Sequence, residues 1–111
     1  MEKRIELITK AIEEKNGKNI IVIKLNTENR VFDFVVLATG SSNRNIQAIT
    51  DEIVQQLKES NVFKFSGEGY QEANWVLLDF SDIVVHIFDK ETREYYDLEN
   101  LFDGNEIIYE K

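Results

Sequence analysis

Asp33-Phe34-Val35-Val36-Leu37-Ala38-Thr39-Gly40-Ser41-Ser42 decides how this chain folds. After Asp33 come five apolar residues with no polar alternation. A strand of that kind is covered on both faces, which puts it in the middle of a sheet. Thr39-Gly40-Ser41-Ser42 then turns the chain into a helix, and Ser41 or Ser42 offers an oxygen to a free first-turn N–H. Within that helix Ile46, Ile49, Ile53, Val54 and Leu57 fall at offsets of 0, 3, 7, 8 and 11, one apolar stripe. Gln47, Asp51, Glu52 and Lys58 lie elsewhere on the wheel, and Ser60-Asn61 is the expected stop. With a later parallel strand, the strand and helix form a crossover unit, right-handed by the usual rule.

Towards the N-terminus, Ile5, Ile8 and Ile12, with Ala11 beside them, predict a first helix. Asn16-Gly17 ends it, with Gly as the expected C′ residue. Asn19 to Leu25 is dense in β-branched residues and predicts a strand, followed by a polar turn from Asn26 to Arg30. Towards the C-terminus, Val62 to Ser66 is a short edge strand, broken by Gly67-Glu68-Gly69. Trp75 to Phe80 and Ile83 to Phe88 form a hairpin around Ser81-Asp82. A last helix runs from about Glu91 to Phe102. The acidic tail 103–111 carries Ile107, Ile108 and Tyr109 without a clear period. The order α-β-β-α-β-β-β-α predicts a single α/β domain over 1–111, a mixed β-sheet flanked by helices. Its core is expected over about 3–102.

A chain of 111 residues has room for one core, and 42% hydrophobic residues fit a globular protein. No apolar run approaches the ~18 residues of a membrane span, and the first residues lack the apolar stretch of a signal peptide. A cytosolic protein without membrane association is therefore expected. With no Cys there is neither a disulfide nor a thiolate metal site. Thirteen basic residues against 21 acidic ones give a net charge of −8, so phosphate backbones repel the chain on average. No nucleic acid specificity is expected. A ribonucleoprotein would be met through a basic protein on it rather than through bare RNA; the acidity is equally well explained by solubility.

Three constellations bear on chemistry. The Gly40-Ser41 turn after a buried strand has N–H groups for an anion. With Asp79 and Asp82 as metal-binding carboxylates it would suit a metal-dependent nucleotidyltransferase. Residues on one face of a strand are two apart, however, and these two are three apart, with Asp82 in the expected turn. A helix-capping turn is the preferred reading. His86 is the only histidine and shares a strand face with Val84 and Phe88. One His cannot make a Zn site, and no Ser lies in a Gly-x-Ser-x-Gly elbow, so a hydrogen-bonded sheet histidine is expected. Trp75, the only tryptophan, is a core residue or an interface anchor; the residues alone favour core. Tyr95, Tyr96, Leu98, Leu101 and Phe102 give the last helix more apolar surface than a free terminal helix needs.

Three ordered blocks resemble the RsfS/Iojap family of ribosomal silencing factors. The first is Asp33 to Ile49, with its Thr39-Gly40-Ser41-Ser42 and Arg44. The second is Glu68-Gly69, Trp75-Val76-Leu77-Leu78-Asp79 and Asp82-Ile83-Val84-Val85-His86-Ile87-Phe88. The third is Arg93-Glu94-Tyr95-Tyr96-Asp97-Leu98-Glu99-Asn100-Leu101-Phe102. They extend over 33–102, and the first helix and strand also fit. Phe102 stands where family members usually carry Trp, and Asn45 where Gln or His is common.

The resemblance implies an α/β domain similar to the nucleotidyltransferase fold but without its catalytic carboxylates, and hence no enzyme, cofactor or metal. It implies binding to ribosomal protein L-fourteen of the large subunit, blocking of subunit association, repression of translation under nutrient limitation, and a homodimer when free. By the same carry-over Trp75, Leu77, Asp79, His86, Tyr96, Leu98 and Glu99 are the expected partner-binding residues. Trp75 and Tyr96 would form an apolar centre, with Asp79 and Glu99 at an acidic rim.

Overall fold

The computed structural model of the protein describes residues 2–26, 33–64 and 66–111. In chain order the elements are α1 (Lys3–Glu14), β1 (Lys18–Lys24), β2 (Phe34–Thr39), α2 (Asn43–Glu59), β3 (Ser66–Glu68), β4 (Trp75–Asp79), β5 (Ile83–Phe88), α3 (Lys90–Tyr96), α4 (Leu98–Leu101) and β6 (Glu106–Glu110). The strands form one mixed sheet in the order β3-β4-β5-β2-β1-β6. Among the described residues only β2 and β5 pair in parallel, from Phe34 opposite Ile83 to Thr39 opposite Phe88. These two occupy the middle of the sheet, as their unbroken apolar runs require. The chain between them, α2 with β3 and β4, makes the crossover.

The two faces of the sheet differ. On one, Val22, Val36, Ala38, Val76, Leu78, Val85 and Ile87 pack with the stripes of α1 and α2, including Ile5, Ile8, Ile12, Ile46, Ile49, Ile53 and Leu57. On the other, Ile23, Val35, Leu37 and Phe88 form a smaller cluster, joined by half-buried Ile21, Trp75, Leu98 and Phe102. Two short helices cover that second face only in part.

The ends of α1 and α2 share one device. Asn16 takes a left-handed φ of 63° and Asn61 one of 61°. The N–H of Gly17 donates to the Ile12 carbonyl at 2.8 Å and that of Asn16 to Glu13 at 3.0 Å. Val62 donates to Leu57 and Asn61 to Lys58 in the same pattern, so both helices close with a Schellman motif. The left-handed C′ residue of α1 is therefore Asn16 and not the expected Gly17. Gly17 is required by proximity instead: a Cβ there would lie 2.3 Å from Ile12 Cγ2.

Three further expectations meet a different outcome, and a fourth falls outside the described residues. Where an edge strand is expected over Val62 to Ser66, residues 62–64 are not strand and β3 is described over Ser66–Glu68. The last helix is two helices, because Asp97 adopts a left-handed φ of 47° between them. The segment 103–111 contributes β6, antiparallel to β1, with Val22 opposite Tyr109. The polar turn expected from Asn26 to Arg30 lies outside the described residues beyond Asn26. No helix among the described residues is long and apolar enough to cross a membrane.

Candidate partner-binding surface

The second face of the sheet gathers the expected site residues. Trp75, Leu77 and Asp79 alternate along β4 and point to the side away from α1 and α2. Cross-strand pairing sets Trp75 opposite Phe88, Leu77 opposite His86 and Asp79 opposite Val84. On its other flank His86 faces Leu37 of β2. The α3–α4 segment lies beside this row. The Tyr96 ring sits 4.7 Å from that of Trp75, and Tyr95 meets Tyr96 edge-on at 5.0 Å. Leu98 packs on the cluster around Leu37 and Phe88. Trp75 is half-buried, while Tyr96, Tyr95 and Leu101 are 53%, 82% and 72% exposed. Aromatic and aliphatic surface is thus left uncovered where a strand and a helix meet.

Two local devices hold α3 in place. Asp89 caps it, accepting the Thr92 N–H at 2.7 Å. Arg93 then anchors it from below. Its Nη1 donates to the Asn19 carbonyl at 2.6 Å and to Thr39 Oγ1 at 2.8 Å. Its Nε donates to Glu99 Oε2 at 3.2 Å, and the guanidinium stands 5.7 Å from the centre of the Phe88 ring. Arg93 is 7% exposed. It was not among the expected site residues, although the Arg-x-x-Tyr spacing of the third block contains it. Glu99, expected at an acidic rim, turns inward to Arg93, and its Oε1 is buried without a partner. Asp79 stays half-exposed and accepts the Ser81 N–H at 2.7 Å.

His86 is buried and accepts a hydrogen bond from Trp75 Nε1 on its Nδ1 at 3.0 Å. Burial lowers its pKa from 6.5 to about 4. The ring is neutral at physiological pH, as expected of a hydrogen-bonded sheet histidine.

The Gly40-Ser41 turn is built for packing and capping. A Cβ on Gly40 would lie 2.4 Å from Ile46 Cγ1. The Gly40 N–H donates to the Phe88 carbonyl, the Ser41 N–H to Asn45 Oδ1, and Ser42 Oγ accepts the Asn45 N–H. Asn45 Nδ2 also reaches the Lys15 carbonyl at 2.8 Å, tying this turn to the end of α1. Asp82 binds Arg4 through two bonds of 2.7 Å each. The guanidinium holds the Asp82 carboxyl below its ordinary pKa, and the pair fastens the β4–β5 turn to α1. Among the described residues no group of three or more His, Asp or Glu side chains is placed to hold a metal.

The model of the family described as "Ribosomal silencing factor during starvation" matches residues 1–110. A ribosomal silencing factor RsfS of Chromobacterium violaceum is 36% identical over 99 residues, 89% of this chain and 81% of its own. The crystal structure of a protein from Chromobacterium violaceum has a TM-score of 0.88 at 35% identity, covering 96% of this chain and 90% of that one. The mouse protein named mitochondrial assembly of ribosomal large subunit protein 1 is 30% identical over 101 residues, 88% of this chain and 44% of its own. With a family match along nearly its whole length and a relative of the same fold at this identity, the chain belongs to the ribosomal silencing factor (RsfS) family.

Proposed function

We propose that the protein acts in the cytoplasm by docking its open sheet face on ribosomal protein L-fourteen of the large subunit. There it sterically blocks the small subunit and so represses translation when nutrients are limiting. The observation that carries this reading is the partly exposed, tilted Trp75–Tyr96 ring pair, rimmed by Asp79 and flanked by Leu77, on a chain of net charge −8. Aromatic anchors in a centre that a partner dries are what protein interfaces use, and carboxylates at the edge suit a basic ribosomal protein. The family, and the mouse relative named for assembly of the large subunit, support that choice of partner. The protein is not an enzyme on this reading: the turn a nucleotidyltransferase would use is committed to packing, and Asp82 is committed to Arg4. We further propose that the free protein is a homodimer, since the same face leaves Tyr95 and Leu101 bare; its mass in solution tests this.

Purified protein should co-sediment with large subunits and reduce the formation of joined ribosomes in proportion to dose. Equal joining with and without saturating protein would exclude silencing, even if binding were real.

Trp75→Ala or Tyr96→Ala should weaken binding to large subunits at least about tenfold, or roughly 1.4 kcal/mol. Asp79→Asn should slow association at low salt and do little at high salt. Circular dichroism and melting curves accompany the assay. A folded Trp75→Ala variant with normal affinity would put the interface elsewhere.

A further inference from the structure

His86 lies in the middle of the open face with its two nitrogens in different situations. Trp75 Nε1–H donates to Nδ1 at 3.0 Å. A nitrogen that accepts carries no proton, so in the neutral ring the proton is on Nε2. Apart from the Trp75 indole N–H, the neighbours of the ring named among the described residues are apolar. Leu77 and Leu37 are its cross-strand neighbours, and the Trp75 and Phe88 rings lie 5.9 and 6.3 Å away. Among the described residues Nε2 meets no acceptor. His86 keeps 7% of its surface exposed, and among the described residues the sealed, unpartnered side-chain atom is Glu99 Oε1 rather than Nε2. The tautomer is therefore locked so that one N–H points out of an apolar surface.

We propose that His86 Nε2–H is the specificity-determining polar group of this face, donating to an uncharged oxygen, a main-chain carbonyl, of the protein that covers it. The inference rests on the docking reading above and names a contact within it. The acceptor is uncharged because two carboxylates share the face. Asp79 stands opposite Val84, and Glu68 of β3 stands opposite Leu77. A partner carboxylate would be repelled there. A surface that covers the face without offering an acceptor leaves a dry donor unpaired, which disfavours near-miss partners. Trp75 then has two tasks: it supplies contact area, and its indole N–H orients the imidazole.

Two substitutions separate the two nitrogens. The His86→Asn side-chain oxygen stays near the position of Nδ1 and still accepts from Trp75, but its Nδ2 lies short of the Nε2 position, so no donor stands where Nε2–H stood. The His86→Gln amide reaches the position of Nε2 and donates. In binding to purified large subunits, His86→Asn should be weaker by about tenfold and His86→Gln within about threefold of the wild type. Long-range proton–nitrogen NMR of the free wild-type protein should show the Nε2–H tautomer. That readout uses the unsubstituted chain, so it stands whatever the variants do to folding. An Nδ1–H tautomer, or a folded His86→Asn variant that binds like the wild type, overturns the proposal. Wild-type protein that fails to bind large subunits at all overturns the docking reading itself, a different outcome.

Discussion

Arg93→Ala should cost about 2–3 kcal/mol of folding stability, the range for losing charge-assisted hydrogen bonds from a buried cation whose carboxylate partner stays partly in solvent. The substitution strands three groups at once. The Asn19 carbonyl and Thr39 hydroxyl lose their donor, and Glu99 loses its ion-pair partner among the described residues while its Oε1 is already without a hydrogen bond there. The side-chain stem and the cation–π contact with Phe88 go too. Arg93→Lys keeps the charge but not the planar fork, and should recover only part of the loss. In a double mutant with Glu99→Ala the cost should be less than the sum of the single costs, because the carboxylate no longer waits for a cation. Urea unfolding at pH 7 gives the numbers. A loss below about 1 kcal/mol for Arg93→Ala would mean that α3 is held by other contacts. The change should also free α3 from the sheet, separating Tyr96 from Trp75 and lowering large-subunit binding in proportion.

Acid should weaken the fold through His86. In the unfolded chain the imidazole titrates near 6.5, whereas in the folded protein burial holds it at about 4. Between those values the unfolded chain binds a proton that the folded protein does not, so stability falls as pH falls. The contribution is intact above about pH 6.5, is lost progressively towards pH 4, and levels off below, where both states are protonated. The whole loss comes to about 3 kcal/mol. Carboxylates held low by their partners, Asp82 by Arg4 and Glu13 by Lys111 and Tyr109, lose their contributions in the acid limb as well. His86→Gln removes one cause and leaves the others. Between pH 7 and 4.5 the wild type should therefore lose about 2–3 kcal/mol more than the variant. Parallel losses would show that the imidazole is protonated in the folded state without penalty.

The elements legible in the sequence were those with strong local patterns. The apolar run of β2, the stripe of α2 and the β4–β5 hairpin each carry their own signal within a few residues. Trp75, Leu77 and Asp79 share a face for the same reason, period two along one strand. What was not legible depends on distant partners. Arg93 reads as an ordinary helix arginine until Asn19 and Thr39, 74 and 54 residues away, close on it. The inward turn of Glu99 follows from that one contact. The run Glu106–Glu110 has no period because it lies at a sheet edge, and only pairing with β1 makes it a strand. The break at Asp97 was hidden because a non-glycine residue takes a left-handed conformation there without a turn sequence to announce it.

The pairing of β1 with β6 has a consequence for the order of synthesis. β1 is made early and β6 late, so the outer edge of β1 stays open while most of the chain is translated. The closing contacts are also divided between the two ends: Lys111 N–H on the Ile20 carbonyl, and Glu13 taking both the Tyr109 hydroxyl and the Lys111 ammonium. Vectorial folding can therefore assemble β2, α2 and the hairpin first, but the seam between the ends zips only afterwards. A nascent chain stalled before Glu106 should present β1 as a free template for another strand. In a crowded polysome that is the moment at which this small protein is most exposed to aggregation.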